Sequence, residues 1–161
     1  MAMSVNGMIA KSDDDTSWIS KEEWDSYSAA VRSVRCLIVG RRTYDILTKQ
    51  PEFSEFKNVK VVVVSGDEVA LVASNHSLAH SPQEALNLLK DFANVVVAGG
   101  GILNASFLAE NLVDELYVDI EPLILGTGIP IFKNQEFTRN LQFLGSKQIT
   151  ENEIQLHYRV V

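Results

Sequence analysis

The sequence predicts an α/β fold of three layers, in which a mixed, mostly parallel sheet has helices on both faces and ends in an antiparallel C-terminal hairpin. Strand-like and helical segments alternate through the first two thirds of the chain, which is typical of parallel strands joined by crossover helices. Two apolar strands end in glycine directly before a helical pattern, at Gly40 and at residues 99–101. Two alternating segments, 141–147 and 154–160, then predict the hairpin. With 161 residues, of which 46% are hydrophobic, the chain is expected to form one domain, 1–161.

The first helix is predicted between Ser20 and Val34, because its apolar residues recur at helical spacing. Residues 20–23 fit a capping box, in which the Ser20 hydroxyl bonds the backbone of Glu23 and the Glu23 side chain bonds the backbone N–H of Ser20. Two short strands, 2–5 and 8–10, precede this helix. The polar segment that follows them predicts a surface loop.

The rest of the chain repeats the order of strand, turn and helix before it changes to strands alone. The expected elements are a strand at 36–39, a helix from Arg41, a central strand at 59–64 closed by Ser65-Gly66, a weaker strand at 69–72, a helix from Ser81 to about Phe92, a strand at 113–121 and a turn at 126–130.

The three glycines at 99–101 stand between a buried strand at 94–98 and a helix that runs to about Glu110. Because they lack Cβ atoms, their backbone N–H groups can approach a ligand closely, and the start of the helix favours a phosphate. A plain strand-to-helix turn is the alternative interpretation. Right-handed crossovers bring the turns after parallel strands to the same edge, so the turns at 40–43, 65–66 and 99–101 are expected to line one cleft.

The formal net charge of −7 argues against nucleic acid as a partner, since neutralising phosphates requires a basic surface. Positive charge is nevertheless clustered between residues 32 and 42, which is compatible with a local anion site. The three histidines and the single cysteine, Cys36, lack the spacing of a metal site. No signal peptide or long apolar span is present, so we expect no membrane association and a cytoplasmic location.

Four motifs carry a resemblance to a known family. They are Met3-Ser4-Val5-Asn6-Gly7-Met8-Ile9-Ala10, Val39-Gly40-Arg41-Arg42-Thr43-Tyr44, Val97-Ala98-Gly99-Gly100-Gly101, and the late strand Val113-Asp114-Glu115-Leu116-Tyr117 with Glu121-Pro122-Leu123-Ile124-Leu125-Gly126-Thr127-Gly128-Ile129-Pro130-Ile131-Phe132. In this order they resemble the dihydrofolate reductase-like superfamily, most closely the stand-alone relatives of the reductase domain of riboflavin biosynthesis. Asn6 stands where that domain more often has aspartate. The resemblance covers most of the chain and implies a reductase with a small-molecule substrate, and a homodimer.

The resemblance also implies that the cleft binds NADPH. Arg41 and Thr43 would hold phosphate, Ser65 would lie near the adenosine 2′-phosphate, and the three glycines would bind the pyrophosphate. Ile102 stands where dihydrofolate reductases often have arginine, so preference for the phosphorylated cofactor would depend on Arg41, Arg42 and Ser65. The complete set of implied cofactor contacts is Ala2, Ile9, Ala10, Gly40, Arg41, Arg42, Thr43, Ser65, Gly99, Gly100, Gly101, Ile102, Leu103 and Thr127.

Ile9 and Ala10 of this set would approach the nicotinamide, with the loop through Trp18 as a lid. For the two arginines, a solvated helix start is the alternative, although adjacent cations there oppose the helix dipole unless an anion is bound.

Two residues are candidates for the catalytic acid. Glu23 takes the place after Trp18 at which dihydrofolate reductases have the carboxylate that binds and helps to protonate the pterin, but a capping role would also explain a glutamate there. Asp119 lies on a strand where those enzymes tend to have threonine, and a carboxylate there either faces a polar cleft or is costly to bury.

Three functions remain open at this point. The first is the reduction step of riboflavin biosynthesis, as in 5-amino-6-(5-phosphoribosylamino)uracil reductase, which would need a cation such as Lys11, Lys21 or Arg32 for the substrate phosphate. The second is dihydrofolate reduction. The third is nucleotide binding without catalysis, for which NADPH would bind and not be oxidised.

Overall fold

A computed structural model of the protein describes residues 1–133 and 135–161. Its α-helices are α1 (Lys21–Val34), α2 (Arg41–Leu47), α3 (Pro82–Asn87) and α4 (Gly101–Ala109), with a 3₁₀ helix at Pro51–Phe56. Its strands are β1 (Ala2–Ser4), β2 (Met8–Ala10), β3 (Cys36–Gly40), β4 (Lys60–Val64), β5 (His76–Ala79), β6 (Val96–Val97), β7 (Glu115–Glu121), β8 (Ile129–Pro130), β9 (Leu141–Gln148) and β10 (Ile154–Val160).

The strands form a parallel sheet in the order β5-β4-β3-β6 and a mixed sheet in the order β1-β7-β10-β9. The predicted hairpin is confirmed, since β9 and β10 pair antiparallel. The backbone pairing of the described residues divides the strands into these two sheets and the short pair β2-β8, where the sequence predicted one mixed sheet.

The parallel sheet is the middle of three layers, because its central strands are apolar on both faces. Leu37 and Val61 belong to a buried cluster with Val31 of α1 and Tyr44 of α2. The opposite face belongs to a second cluster, which includes Phe107 of α4. The predicted placement of helices on both faces is therefore confirmed.

The predicted strand at 69–72 is wrong. This segment is irregular and lies mostly at the surface, with Leu71 and Val72 exposed. The edge strand of the parallel sheet is β5 instead, which pairs with β4 from His76 to Ala79. Its sequence has little apolar character, so its conformation is set by the hydrogen bonds to β4 rather than by a local pattern.

Several predicted boundaries differ from the observed ones. The buried strand expected at 94–98 is only the two-residue strand β6, which is half-buried. Helix α3 ends at Asn87 and does not extend to Phe92. The turn at 126–130 contains β8, which pairs antiparallel with β2. Within ranges 1–133 and 135–161, the helices are all too short or too polar to cross a lipid bilayer.

Candidate active site

The predicted turns meet at one edge of the parallel sheet. The backbone N–H of Gly40 donates a 2.7 Å hydrogen bond to the carbonyl oxygen of Gly99. This contact follows from the parallel register, in which Ile38 of β3 is opposite Val97 of β6. Arg41 comes directly after Gly40, so the start of α2 and the triglycine turn belong to the same edge, as predicted.

Gly100 is the point where three implied cofactor contacts converge. A Cβ added to Gly100 would lie 3.3 Å from Oγ1 of Thr43 and 3.9 Å from Cδ1 of Ile9. Gly100 itself is only half-buried. The missing side chain therefore leaves space between Thr43 and Ile9, where a ligand can approach the backbone.

The other two glycines are covered by the protein. Gly99 has a φ of +88°, which favours glycine, and a Cβ there would lie 3.0 Å from Cε of Met1. At Gly101 the place of a Cβ is occupied by the carbonyl oxygen of Pro130. The turn is thus open to a ligand chiefly at Gly100 and at the first N–H groups of α4, which a helix leaves without internal partners.

The two residues that follow the three glycines differ in burial. Ile102 is exposed, whereas Leu103 packs in the buried cluster of the parallel sheet. The expected contact at Leu103 can therefore come only from its backbone. Ala2 and Ala10 are also buried.

Both arginines of α2 are bound to carboxylates. Nη1 of Arg41 lies 3.2 Å from Oδ2 of Asp67, and Nε of Arg42 lies 2.7 Å from Oδ2 of Asp14. The backbone N–H of Asp67 donates to Oγ of Ser65 at 3.1 Å, so Asp67 joins Arg41 to the predicted 2′-phosphate residue. A carboxylate offers a guanidinium the same paired oxygens as a phosphate, so these pairs are compatible with anion binding at this edge.

A groove of about 500 Å³ lies beside the loop that was predicted as a lid. It is lined by Lys11, Ser12, Asp13, Leu125, Gly126 and Thr127. Oγ of Ser12 lies 3.4 Å from Oγ1 of Thr127, which links the loop to the turn at 126–130. Lys11, a candidate for substrate phosphate, is here and pairs with Asp15 at 2.5 Å.

The two candidate acids lie in one buried cluster of four carboxyl groups. Glu23 of α1 is 4% exposed and Asp119 of β7 is 5% exposed. The sequence argument missed the other two, Glu121 of β7 and Glu153 of the β9–β10 turn, which are 3% and 4% exposed. Asp119 and Glu121 are two residues apart on a strand and therefore point to the same face. That spacing is the signal that could have identified Glu121.

The capping box is only half confirmed. Oγ of Ser20 accepts a hydrogen bond from the backbone of Glu23 at 3.0 Å, as expected. The backbone N–H of Ser20, however, donates to Oε1 of Glu121 at 2.9 Å. A carboxylate from a distant strand thus replaces the Glu23 side chain, so a capping role does not explain the carboxyl group of Glu23.

The environment distinguishes the two predicted acids. Burial raises the pKa of Glu23 to about 7, and the neighbouring carboxyls of Asp119, Glu121 and Glu153 act in the same direction, against the N-terminal ammonium. Asp119 is instead held by two donors, the ammonium of Met1 and Nε2 of Gln155, each at 2.7 Å. A carboxyl group with a pKa near neutrality suits proton transfer, which favours Glu23.

Met1 contacts both the acid cluster and the glycine edge. Its ammonium bonds Asp119, while its side-chain sulfur accepts a hydrogen bond from Asn104 of α4 at 3.2 Å and its Cε lies against Gly99. Asp119 of the acid cluster and Gly99 of the glycine edge are therefore bridged by a single residue.

This fold and this edge define a protein of the dihydrofolate reductase-like superfamily. Within that class the chain belongs to the RibD C-terminal domain family, whose model matches residues 1–155. The resemblance noted in the sequence is thereby confirmed.

Individual relatives agree with this assignment. The uncharacterized protein YwjB of Bacillus subtilis (strain 168) is 29% identical over 164 residues, which cover 98% of this chain and 94% of YwjB. A candidate riboflavin biosynthesis protein of Shewanella sp. PV-4 has a similar structure, with a TM-score of 0.80, 22% identity and coverage of 100% of this chain and 96% of that one.

A two-function protein of Thermotoga maritima, a diaminohydroxyphosphoribosylaminopyrimidine deaminase/5-amino-6-(5-phosphoribosylamino)uracil reductase, has a TM-score of 0.73 at 17% identity. The match covers 99% of this chain and 55% of that protein, so the chain corresponds to about half of it.

Proposed function

We propose that the protein is an NADPH-dependent reductase that transfers a hydride to a small pyrimidine-like substrate, of the type of 5-amino-6-(5-phosphoribosylamino)uracil, in the cytoplasm. The observation that carries this proposal is that Met1 contacts both Gly99 of the glycine edge and Asp119 of the acid cluster. The same cluster contains Glu23, whose pKa burial raises to about 7. A pterin is the second substrate class, because Glu23 takes the place of the pterin-binding carboxylate of dihydrofolate reductases.

The residues at the edge fit a phosphorylated dinucleotide. A side chain at Gly100 would fill the space between Thr43 and Ile9, and glycine keeps that space open. Arg41 and Arg42 are exposed cations on the same edge and would bind phosphate in exchange for Asp67 and Asp14. When bound, the cofactor supplies the hydride from C4 of its nicotinamide.

The chain itself would supply orientation and a proton. The Arg42–Asp14 pair attaches the loop 11–17 to α2. Once a phosphate has replaced Asp14 on Arg42, the loop would be released to cover the substrate and exclude water. The carboxyl group of Glu23 would give its proton to the substrate atom that receives the displaced electron pair. Asp119, fixed by Met1 and Gln155, would keep the cluster negative and so favour the protonated form of Glu23.

A homodimer is part of the proposal. The β9–β10 hairpin exposes several large apolar side chains, and Leu141, Phe143 and Ile154 are between 39% and 56% exposed. Leu141 is opposite Val160, and Phe143 is opposite Tyr158, so these side chains share one face of the hairpin. Burying such a face against a second copy would remove apolar area from water.

The experiment that tests the function is a substrate screen with the purified protein. NADPH oxidation is followed by loss of the reduced nicotinamide absorbance with a ribosylaminopyrimidine phosphate, dihydrofolate and no substrate. We expect oxidation with the pyrimidine, and strong loss of the rate in E23Q with intact folding. Oxidation with dihydrofolate alone would assign the second class. Binding of NADPH without oxidation by any substrate would contradict the reductase.

A further inference from the structure

We propose that the carboxyl groups of Glu121 and Glu153 share one proton and that this pair controls the protonation of Glu23, which makes both residues positioning residues for the reduction. The role in turnover rests on the proposed function. The shared proton is a property of the free protein and can be tested without substrate.

The first observation is the position of Glu121. It is on the face of β7 that carries Asp119, and its register places it opposite Ser4 of β1, which is fully buried. One of its oxygens accepts the backbone N–H of Ser20 at the start of α1. Glu121 therefore connects the β7 strand to the helix that carries Glu23.

The second observation is a set of buried polar atoms without hydrogen bonds. Within residues 1–133 and 135–161, both carboxyl oxygens of Glu153 and the hydroxyl of Tyr27 are buried and lack a partner of normal geometry. The carboxyl of Glu153 nevertheless lies beside that of Glu121, and the hydroxyls of Ser20 and Thr150 are also close to it. Two carboxylates offer only acceptors to each other, whereas one proton between them supplies a donor for this contact.

The charges of the cluster favour such a proton. The groups that face it are Glu23 and Tyr27 from α1, Asp119 and Glu121 from β7, Glu153 from the β9–β10 turn, and the ammonium of Met1. Four ionised carboxyls with one cation would be strongly destabilising in a buried site. In agreement, burial and the contact with Glu153 raise the pKa of Glu121 to about 7, and hydrogen bonds with Glu121, Ser20 and Thr150 lower the pKa of Glu153. The proton of the pair is thereby assigned to Glu121.

The link to Glu23 is electrostatic. Each negative charge of the pair raises the pKa of Glu23, so ionisation of the pair delays ionisation of Glu23 as the pH rises. In turnover, the O–H bond of Glu23 breaks, its proton goes to the substrate atom that receives the electron pair, and the dinucleotide that gave the hydride is oxidised. Glu23 then takes a proton from water before the next cycle.

The test is a pH titration of the full chain by NMR, with the glutamate carboxyl carbons labelled with carbon-13. We expect two glutamates with midpoints near 7 in the wild-type protein and one in each of E121Q and E153Q. In both variants the glutamine can still bond the remaining carboxyl. E115Q is the matched control, because Glu115 is on the same face of β7 but is exposed and bonds His157. This variant should keep two glutamates with midpoints near 7.

The decisive variant is E153Q. If Glu121 titrates independently, E153Q will leave its midpoint near 7, and this would overturn the proposal, as would the absence of any near-neutral glutamate in the wild type. With a turned-over substrate, both variants should move the alkaline limb of the pH–rate profile to lower pH by about half a unit to one unit. A confirmed NMR result without turnover would instead reject the reductase and keep the shared proton.

Discussion

Nε of Arg42 lies 2.7 Å from Oδ2 of Asp14, and this pair attaches the loop 11–17 to the start of α2. Because the proposed phosphate ligand and Asp14 compete for the same guanidinium, we expect D14N to bind NADPH more tightly. Surface ion pairs contribute less than about 1 kcal/mol, so the dissociation constant should fall by roughly 2–5-fold.

The measurement is a titration of cofactor fluorescence with the wild-type protein and D14N. D25N is the control, since Asp25 forms a comparable exposed pair with Lys21 on α1 and should leave the affinity unchanged. Weaker binding in D14N would show that Asp14 supports the cofactor site rather than competing for it.

The exposed hairpin face predicts self-association. Phe143 is 56% exposed and its ring lies 5.6 Å from that of Tyr158. A charge at its centre should prevent a second copy from packing there, so F143D should be a monomer and the wild-type protein a dimer in light scattering with size-exclusion chromatography. E151Q, in the exposed turn of the same hairpin, should remain a dimer. A monomeric mass for the wild-type protein would contradict the proposed homodimer.

The contact between Gly101 and Pro130 predicts a stability effect. A methyl group at Gly101 meets the carbonyl oxygen of Pro130, so G101A should be destabilised by about 1–3 kcal/mol. At Gly145 nothing lies within 4 Å of an added Cβ, so G145A should not be destabilised by a steric contact. Urea unfolding of both variants checks this, and equal midpoints for G101A and the wild type would contradict the packing.

The raised pKa of Glu23 predicts how stability depends on pH. Its pKa is about 7 in the folded protein against an ordinary value of 4.5, so the folded state binds the proton more tightly. Its contribution to stability is therefore complete below about pH 4.5 and is lost as the pH rises through 7. The wild-type protein should lose stability between these values, and E23Q should lose less, by roughly 2 kcal/mol.

Urea unfolding at several pH values measures this difference. E52Q, which changes an exposed glutamate of the 3₁₀ helix, should keep the slope of the wild-type protein. The same slope in E23Q would mean that Glu23 is ionised at ordinary pH in the folded state.

Local patterns predicted the parts of the fold that are determined locally. Gly40 and the glycines at 99–101 mark the ends of β3 and β6, and the parallel connection then places both turns at one edge. The strand β5 could not be predicted, because its pairing with β4 depends on residues far away in sequence. The same reason explains the missing half of the capping box, since Glu121 is 101 residues from Ser20.

The site was predicted in part. The motif around Arg41 predicted the proposed phosphate ligands, and the position of Glu23 after Trp18 predicted a candidate acid. The structure brings Glu23 and Asp119 into one cluster. Glu153 lies in a polar turn, where a glutamate is ordinarily solvated, so no local signal indicates that it is buried. Its partner appears only when β10 pairs with β7.

The most direct test of the account is a titration of NADPH and NADH against the wild-type protein, R41A, R42A and the control R159A, followed by cofactor fluorescence. Loss of a charge-assisted bond to phosphate costs about 1.5–3 kcal/mol, so R41A and R42A should bind NADPH roughly 10–100-fold more weakly. Their affinity for NADH should change less, and R159A, on the exposed end of β10, should bind as the wild type does. Unchanged NADPH affinity in both R41A and R42A, or no NADPH binding by the wild-type protein, would contradict the proposed cofactor site.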